Sequence, residues 1–192
     1  MRKDEKYIPA LNFDRLTPLY DTVVRWLMPE SEFKGRLVEQ ARVRAGHRVL
    51  DIGCGTATLT ILAKQAHPGA EVFGLDGDPK ILEIARRKAA RAGAEITLRE
   101  GLSFRLPFAD ESFDRALSSL MLHHLTPANK QLTLAEARRV LRPGGELHVA
   151  DFRKHNESLP EMMGRAGFEQ ARECGGYRTL LGRLALWQAR RP

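Results

Sequence analysis

Val49-Leu50-Asp51-Ile52-Gly53-Cys54-Gly55-Thr56 reads as a short apolar strand, His47 to Ile52, running straight into a glycine-rich turn. On its N-terminal side, Phe33, Leu37 and Ala41 recur on one helical face and Gly46 supplies a stop. On its C-terminal side, Leu59, Leu62, Ala63 and Ala66 follow the i, i+3, i+4, i+7 spacing of an amphipathic helix. A strand flanked by two helices, with glycines at its carboxyl end, is the repeating unit of an α/β sheet.

The alternation continues outward. Glu71–Asp76 predicts a second strand, and Pro79 opens a helix that buries Leu82, Ala85, Ala89 and Ala92 before Gly93 closes it. Glu95–Arg99 and Phe113–Ser119 predict two more strands. Thr126-Pro127 is an N-cap and first-turn pair ahead of Leu134, Ala137 and Leu141. Pro143-Gly144-Gly145 reads as a turn and Glu146–Asp151 as a strand. Ser158 and Glu161 have capping-box spacing before Leu159, Met162, Met163 and Ala166, and Gly167 ends that helix. Two terminal strands, Phe168–Glu173 and Leu181–Ala189, have no helix between them and are expected to pair antiparallel through Gly175-Gly176. The pattern predicts a three-layer α/β/α sandwich with parallel strands, right-handed crossovers and one antiparallel edge element. Ligands of such sheets lie beyond the carboxyl ends of the strands.

Composition narrows the class. The 192 residues suit one compact domain, and 43% hydrophobic with 29% charged residues is ordinary for a globular chain. No apolar stretch approaches the roughly 20 residues of a bilayer span, and the charged start MRKDEKYIPALNF lacks a secretory signal's apolar run. Two cysteines, Cys54 and Cys174, without CxxC spacing argue against a disulfide framework or structural zinc. A cytoplasmic location is expected. The net charge of +7 is spread over separate groups, such as Arg86, Arg87, Lys88 and Arg91, and Arg138, Arg139 and Arg142, on predicted polar helix faces. That distribution describes solvated surfaces rather than a nucleic-acid footprint.

The strand-end residues indicate the sign of the ligand's charge. Gly53 and Gly55 let the backbone approach a ligand that a Cβ would block, and the following helix N-terminus presents free N–H groups. Position 58, where a dinucleotide fingerprint wants its third glycine, is threonine. Asp51 at the strand end would repel a pyrophosphate but suits a ligand carrying an ammonium and a sulfonium. Both details favour S-adenosylmethionine (SAM) over NAD. Asp76, ending Phe73-Gly74-Leu75-Asp76, can accept both hydroxyls of a ribose, while Asp78 is better placed as an N-cap.

In order, DIGCGT, GLDGDP, LPFADESFD, SSLMLHHL and RVLRPGGELHVADF resemble the class I SAM-dependent methyltransferases, in particular the group similar to ubiquinone and menaquinone biosynthesis methyltransferases. The resemblance covers roughly residues 7 to 190. It implies a Rossmann-like, mostly parallel seven-stranded sheet with an antiparallel last strand. It also implies that Asp51, Gly53 and Gly55 line the methionine end of the cofactor, with Cys54 a turn residue between the glycines. By the same resemblance Asp76 binds the ribose, Gly77 lies beside the adenine, Ser103 offers backbone contact to the adenine edge, and Ser119 and Leu120 form the floor near the sulfonium. Tyr20 resembles the N-terminal tyrosine that covers the cofactor. Two positions depart from the family pattern. Leu102 stands where an aspartate usually accepts from the adenine amine, and Ala57 where many relatives have a third glycine, which is tolerable if the helix has already begun.

His123 and His124 are candidates for a general base toward a substrate hydroxyl. The plainer reading is that they pack against or cap the following helix, since methyl transfer from a sulfonium relies chiefly on alignment. The short connection Phe152–Glu157 leaves no room for a lid helix. Residues 1–34 are therefore expected to form a helical cap over residues 35–192, the SAM-binding domain. The apolar residues Phe13, Leu16, Leu19, Tyr20, Val24, Trp26 and Leu27 suit a hydrophobic small-molecule acceptor. A homodimer partner is the other way to complete the pocket. The alternatives are an RNA or other nucleic-acid methyltransferase, for which no Asn/Asp-Pro-Pro-Tyr/Phe tetrapeptide is present, a NAD-type domain, and a SAM-binding protein without transfer activity. No metal site is expected.

Overall fold

The computed structural model describes residues 30–192. Among these residues seven strands form one sheet: β1 (Arg48–Ile52), β2 (Glu71–Asp76), β3 (Thr97–Glu100), β4 (Phe113–Ser119), β5 (Leu141–Phe152), β6 (Glu169–Thr179) and β7 (Gly182–Arg190). Their order is β3-β2-β1-β4-β5-β7-β6. Strands β1 to β5 are parallel, whereas β7 runs antiparallel to both β5 and β6. The order reverses between β1 and β4, and the crevice that such a reversal opens at the strand ends is where ligands enter.

Among the described residues, five α-helices cover the two faces: α1 (Glu30–Ala41), α2 (Thr58–Ala66), α3 (Pro79–Arg91), α4 (Pro127–Val140) and α5 (Leu159–Arg165). Alternate strand residues sort to opposite faces, as period-2 geometry requires. Val49, Val72, Leu117 and Ala150 pack with Phe33 and Leu37 of α1 and with Leu59 and Ala63 of α2. Leu50, Ala116, Leu147 and Trp187 pack with Leu134 and Ala137 of α4 and with Met162 and Met163 of α5. Phe33 and Leu37 are fully buried, each contributing roughly 1.5–3 kcal/mol of transfer free energy. Helix α1 crosses residues 34 and 35, so the expected border between cap and domain falls inside one helix.

Several local expectations are corrected. Leu141 does not belong to α4: it pairs with Phe113 and begins β5. Pro143-Gly144-Gly145 is a bulge within β5, because Phe113 pairs with Leu141 and Arg115 with Glu146, leaving the extra residues unpaired. Gly144 there has φ +78°, and a Cβ on Gly145 would come within 2.9 Å of the Arg142 carbonyl. The terminal hairpin turns at Leu180-Leu181, not at Gly175-Gly176. Those glycines pair with Leu186 and Ala185, where a Cβ on Gly176 would strike the Leu184 carbonyl at 2.5 Å. Ser158 makes no side-chain cap bond: its φ of −93° and ψ of 14° are not the extended angles from which an N-cap serine reaches the N–H three residues on.

Candidate active site

The loop after β1 is tied down on both sides. The N–H groups of Gly53 and Cys54 donate to the Leu75 carbonyl at 2.8 and 2.9 Å. The N–H of Gly55 donates to Asp76 Oδ2 at 2.9 Å. Gly53 has φ +73° and lies against Met121, which a Cβ would meet at 2.3 Å. Gly55 has φ +53° and open space where its Cβ would stand. That space belongs to a cavity of about 350 Å³ at the carboxyl ends of β1 to β4.

Of the sequence-predicted cofactor residues, Gly53, Cys54, Gly55, Asp76, Gly77, Leu102, Ser103, Ser119 and Leu120 all line this cavity. Asp76 also accepts from the N–H of Asp78 at 3.0 Å, so each carboxylate oxygen holds one backbone amide and keeps lone pairs for a diol. Asp78 caps α3 through the N–H of Lys80 at 2.8 Å. Ser103 shares a hydrogen bond with Thr133 at 3.0 Å. Leu120 has φ +52° while its N–H donates to the Ala150 carbonyl. Tyr20 lies outside the described residues.

Asp51 does not line the cavity. Strand alternation turns its side chain toward α2, where Oδ2 accepts from the Thr60 hydroxyl at 2.7 Å. It is 1% exposed, and its other oxygen has no hydrogen-bond partner among the described residues. Burial raises its carboxyl from the ordinary 3.8 to about 6, against the opposing pull of Thr60 and Lys34. Cys54 is buried against Gly74, and desolvation with two nearby aspartates pushes its thiol well above the usual range, so it is no nucleophile. Ala57 has φ +61° and is the N-cap of α2, not a residue of its first turn. Its methyl therefore carries left-handed strain of roughly 1–2 kcal/mol that a glycine would avoid.

The lining fits a cationic ligand. Among the described residues, Lys34 is its one lysine or arginine, and it is paired with Glu30. Asp76 lies at the wall and the half-satisfied Asp51 behind the loop. A sulfonium and an ammonium would offset these carboxylates, whereas a pyrophosphate would add to them.

A second cluster adjoins the cavity at the ends of β4 and β5. His124 lines the cavity, and its ring centroid is 4.0 Å from that of His123. His123 Nδ1 lies 2.6 Å from Asp151 Oδ1. Asp151 is fully buried and also accepts from the N–H groups of His123 at 3.1 Å and Phe152 at 2.7 Å. A carboxylate there makes Nδ1 the donor and leaves Nε2 free to take a proton. Neither histidine caps α4, because Thr126 accepts from the N–H of Asn129. Burial, then His123, lowers the pKa of His124. Asp151 was missed from sequence, although it ends its strand as Asp51 and Asp76 end theirs. Lys34, Thr56 and Met121 were missed too.

Residues 49–145, half of the chain, match the family described as "Methyltransferase domain". This chain belongs to the class I SAM-dependent methyltransferases. Within that family, the methyltransferase is 37% identical over 142 residues to a demethylmenaquinone methyltransferase of Thermus thermophilus, covering 73% of this chain and 64% of the relative. It is 38% identical over 121 residues to the ubiquinone/menaquinone biosynthesis C-methyltransferase UbiE of Bordetella avium, covering 62% of this chain and 46% of the relative. The chain thus spans about half to two thirds of the length of these relatives. The crystal structure of the YcgJ protein from Bacillus subtilis superposes with a TM-score of 0.71 at 18% identity, over 84% of this chain and 98% of that one. The family implies SAM as cofactor, and the dinucleotide reading is set aside. Among the described residues no helix is long and apolar enough to cross a membrane.

Proposed function

We propose that this methyltransferase moves the methyl group of SAM to a small hydrophobic acceptor bearing an ionisable hydroxyl, a quinol of the kind implied by its relatives' names. The observation that carries this is the buried Asp151 carboxylate, 2.6 Å from Nδ1 of His123, whose ring lies 4.0 Å from that of the cavity-lining His124. When bound, SAM supplies a methyl carbon activated by a positively charged sulfur. Asp76 takes the ribose hydroxyls; Leu102 and Ser103 lie along the adenine; Ser119 and Leu120 floor the sulfonium end. His123, oriented by Asp151, removes the acceptor's hydroxyl proton through Nε2. The resulting oxyanion makes the ring or the oxygen a better nucleophile. Residues 1–34, Tyr20 included, close the site and exclude water.

The test is a methyl-transfer screen with labelled SAM across quinols, phenols, amines and short RNA. Transfer to quinols or phenols that collapses in His123→Asn supports the reading. Label appearing only on amines or RNA overturns it. Deleting residues 1–28 is expected to leave SAM affinity weakened and transfer abolished, and a truncated chain that transfers at the full rate would remove the cap from the mechanism.

A further inference from the structure

We infer that the tip of the β6–β7 hairpin docks this protein on a lipid surface carrying anionic headgroups. Since β7 is antiparallel to both β5 and β6, β6 runs in the direction of β5 and ends at the same edge of the sheet. That edge carries the loops that form the cavity. Phe152, the last residue of β5, pairs with Leu184, so the turn at Leu180-Leu181 projects beyond the end of β5 on the side of the His123 cluster.

The turn is closed by its own hydrogen bonds. The Thr179 hydroxyl donates to the Gly182 carbonyl at 2.7 Å and accepts from the N–H of Leu181 at 3.2 Å. What it presents is 77% exposed Leu180 and 39% exposed Leu181. Two-residue hairpin turns favour asparagine, aspartate and glycine, which satisfy the turn's backbone angles and water alike. Leu180 and Leu181 keep negative φ, the positive-φ position falling on Gly182 at +123°, so backbone angles do not exclude leucine here; exposure to water disfavours it, and two adjacent exposed leucines point to a function at the tip.

Charge identifies the occupant. Arg178 stands directly opposite Arg183, a like-charge pair in the free protein. Arg183 and Arg153 share Glu173 as ion-pair partner, and exposed Lys154 follows on the same rim. Two leucines framed by cations match a bilayer surface, with the side chains in the acyl boundary and the guanidinium groups at the phosphates. The tip is convex, so a protein partner would need a preformed pocket, while a bilayer yields to it. Docking in this pose turns the cavity edge toward the membrane. It holds whichever acceptor the site takes.

The experiment is sedimentation of the full chain with phosphatidylcholine vesicles, with and without phosphatidylglycerol. Binding is expected to the anionic vesicles and to fall with salt. The double variant Leu180→Ser, Leu181→Ser is expected to bind them at least roughly tenfold more weakly, and Arg178→Glu several-fold more weakly. Unchanged calorimetric SAM affinity in both variants shows that the domain is intact. The proposal fails if the wild-type chain stays in the supernatant, or if the double variant sediments like wild type. It fails equally if the leucines drive only concentration-dependent self-association.

Discussion

His123 Nδ1 lies 2.6 Å from the Oδ1 atom of Asp151, a carboxylate with no exposure to solvent. The pair joins the short 3-10 turn Leu122–His124 to the end of β5 and fixes which imidazole nitrogen carries the proton. His123→Asn and Asp151→Asn are each expected to lower kcat by about 10²–10⁴, the range for loss of a positioned base, while SAM affinity holds. Variants that keep full kcat would return the pair to a packing role.

Asp51 predicts an opposing pH dependence of stability and of cofactor affinity. Its carboxyl is raised from 3.8 to about 6 in the folded chain, so between those values the folded state holds the proton that the unfolded state has released. Stability therefore falls as pH rises from about 4 through about 6, by on the order of 3 kcal/mol if Asp51 acts alone. Asp51→Asn should raise the melting temperature at pH 7 and flatten that slope. A bound cation favours the ionised form, so SAM affinity should increase over the same pH window in the wild-type chain and lose that dependence in the variant. A flat affinity profile in wild type would disconnect Asp51 from the ligand.

Gly55→Val should abolish SAM binding. Its side chain would enter the open space above the loop, and its φ of +53° adds strain that a β-branched residue tolerates poorly. Gly55→Ala, with one methyl in the same space, should weaken binding by an intermediate amount in a chain that still melts cooperatively. Calorimetric titration with SAM and S-adenosylhomocysteine reads both. Unaltered affinity in folded Gly55→Val would place the cofactor elsewhere.

Leu102→Asp should tighten SAM binding by about 1 kcal/mol, the net value of one added hydrogen bond. Leu102 lines the cavity and is partly exposed, so the new carboxylate is not forced into the core. Weaker binding by a folded Leu102→Asp protein would show that the adenine amine does not face this position.

The order of strands and helices, the glycine turn after β1 and the capping role of Asp78 were all legible in the chain itself. Each is a local property, set by apolar spacing, by backbone angles only glycine adopts readily, or by a side chain two residues from the N–H it caps. The strand-end placement of Asp51, Asp76, Ser119 and Leu120 followed from the same alternation. Tertiary structure alone decided what those residues touch. Period-2 geometry could place Asp51 on one face of β1, but only the packing of α2 put Thr60 on one oxygen and left the other bare. His123 and Asp151 stand 28 residues apart and meet because β4 and β5 are parallel neighbours ending at one edge. The hairpin turned at Leu180-Leu181, not at the glycines, because β7 must lie antiparallel against β5, and that pairing sets the register. Apolar periodicity reports which face of an element is buried. It carries no record of which polar atom from a distant element will lie within hydrogen-bond reach, and here that contact is the one that orients His123.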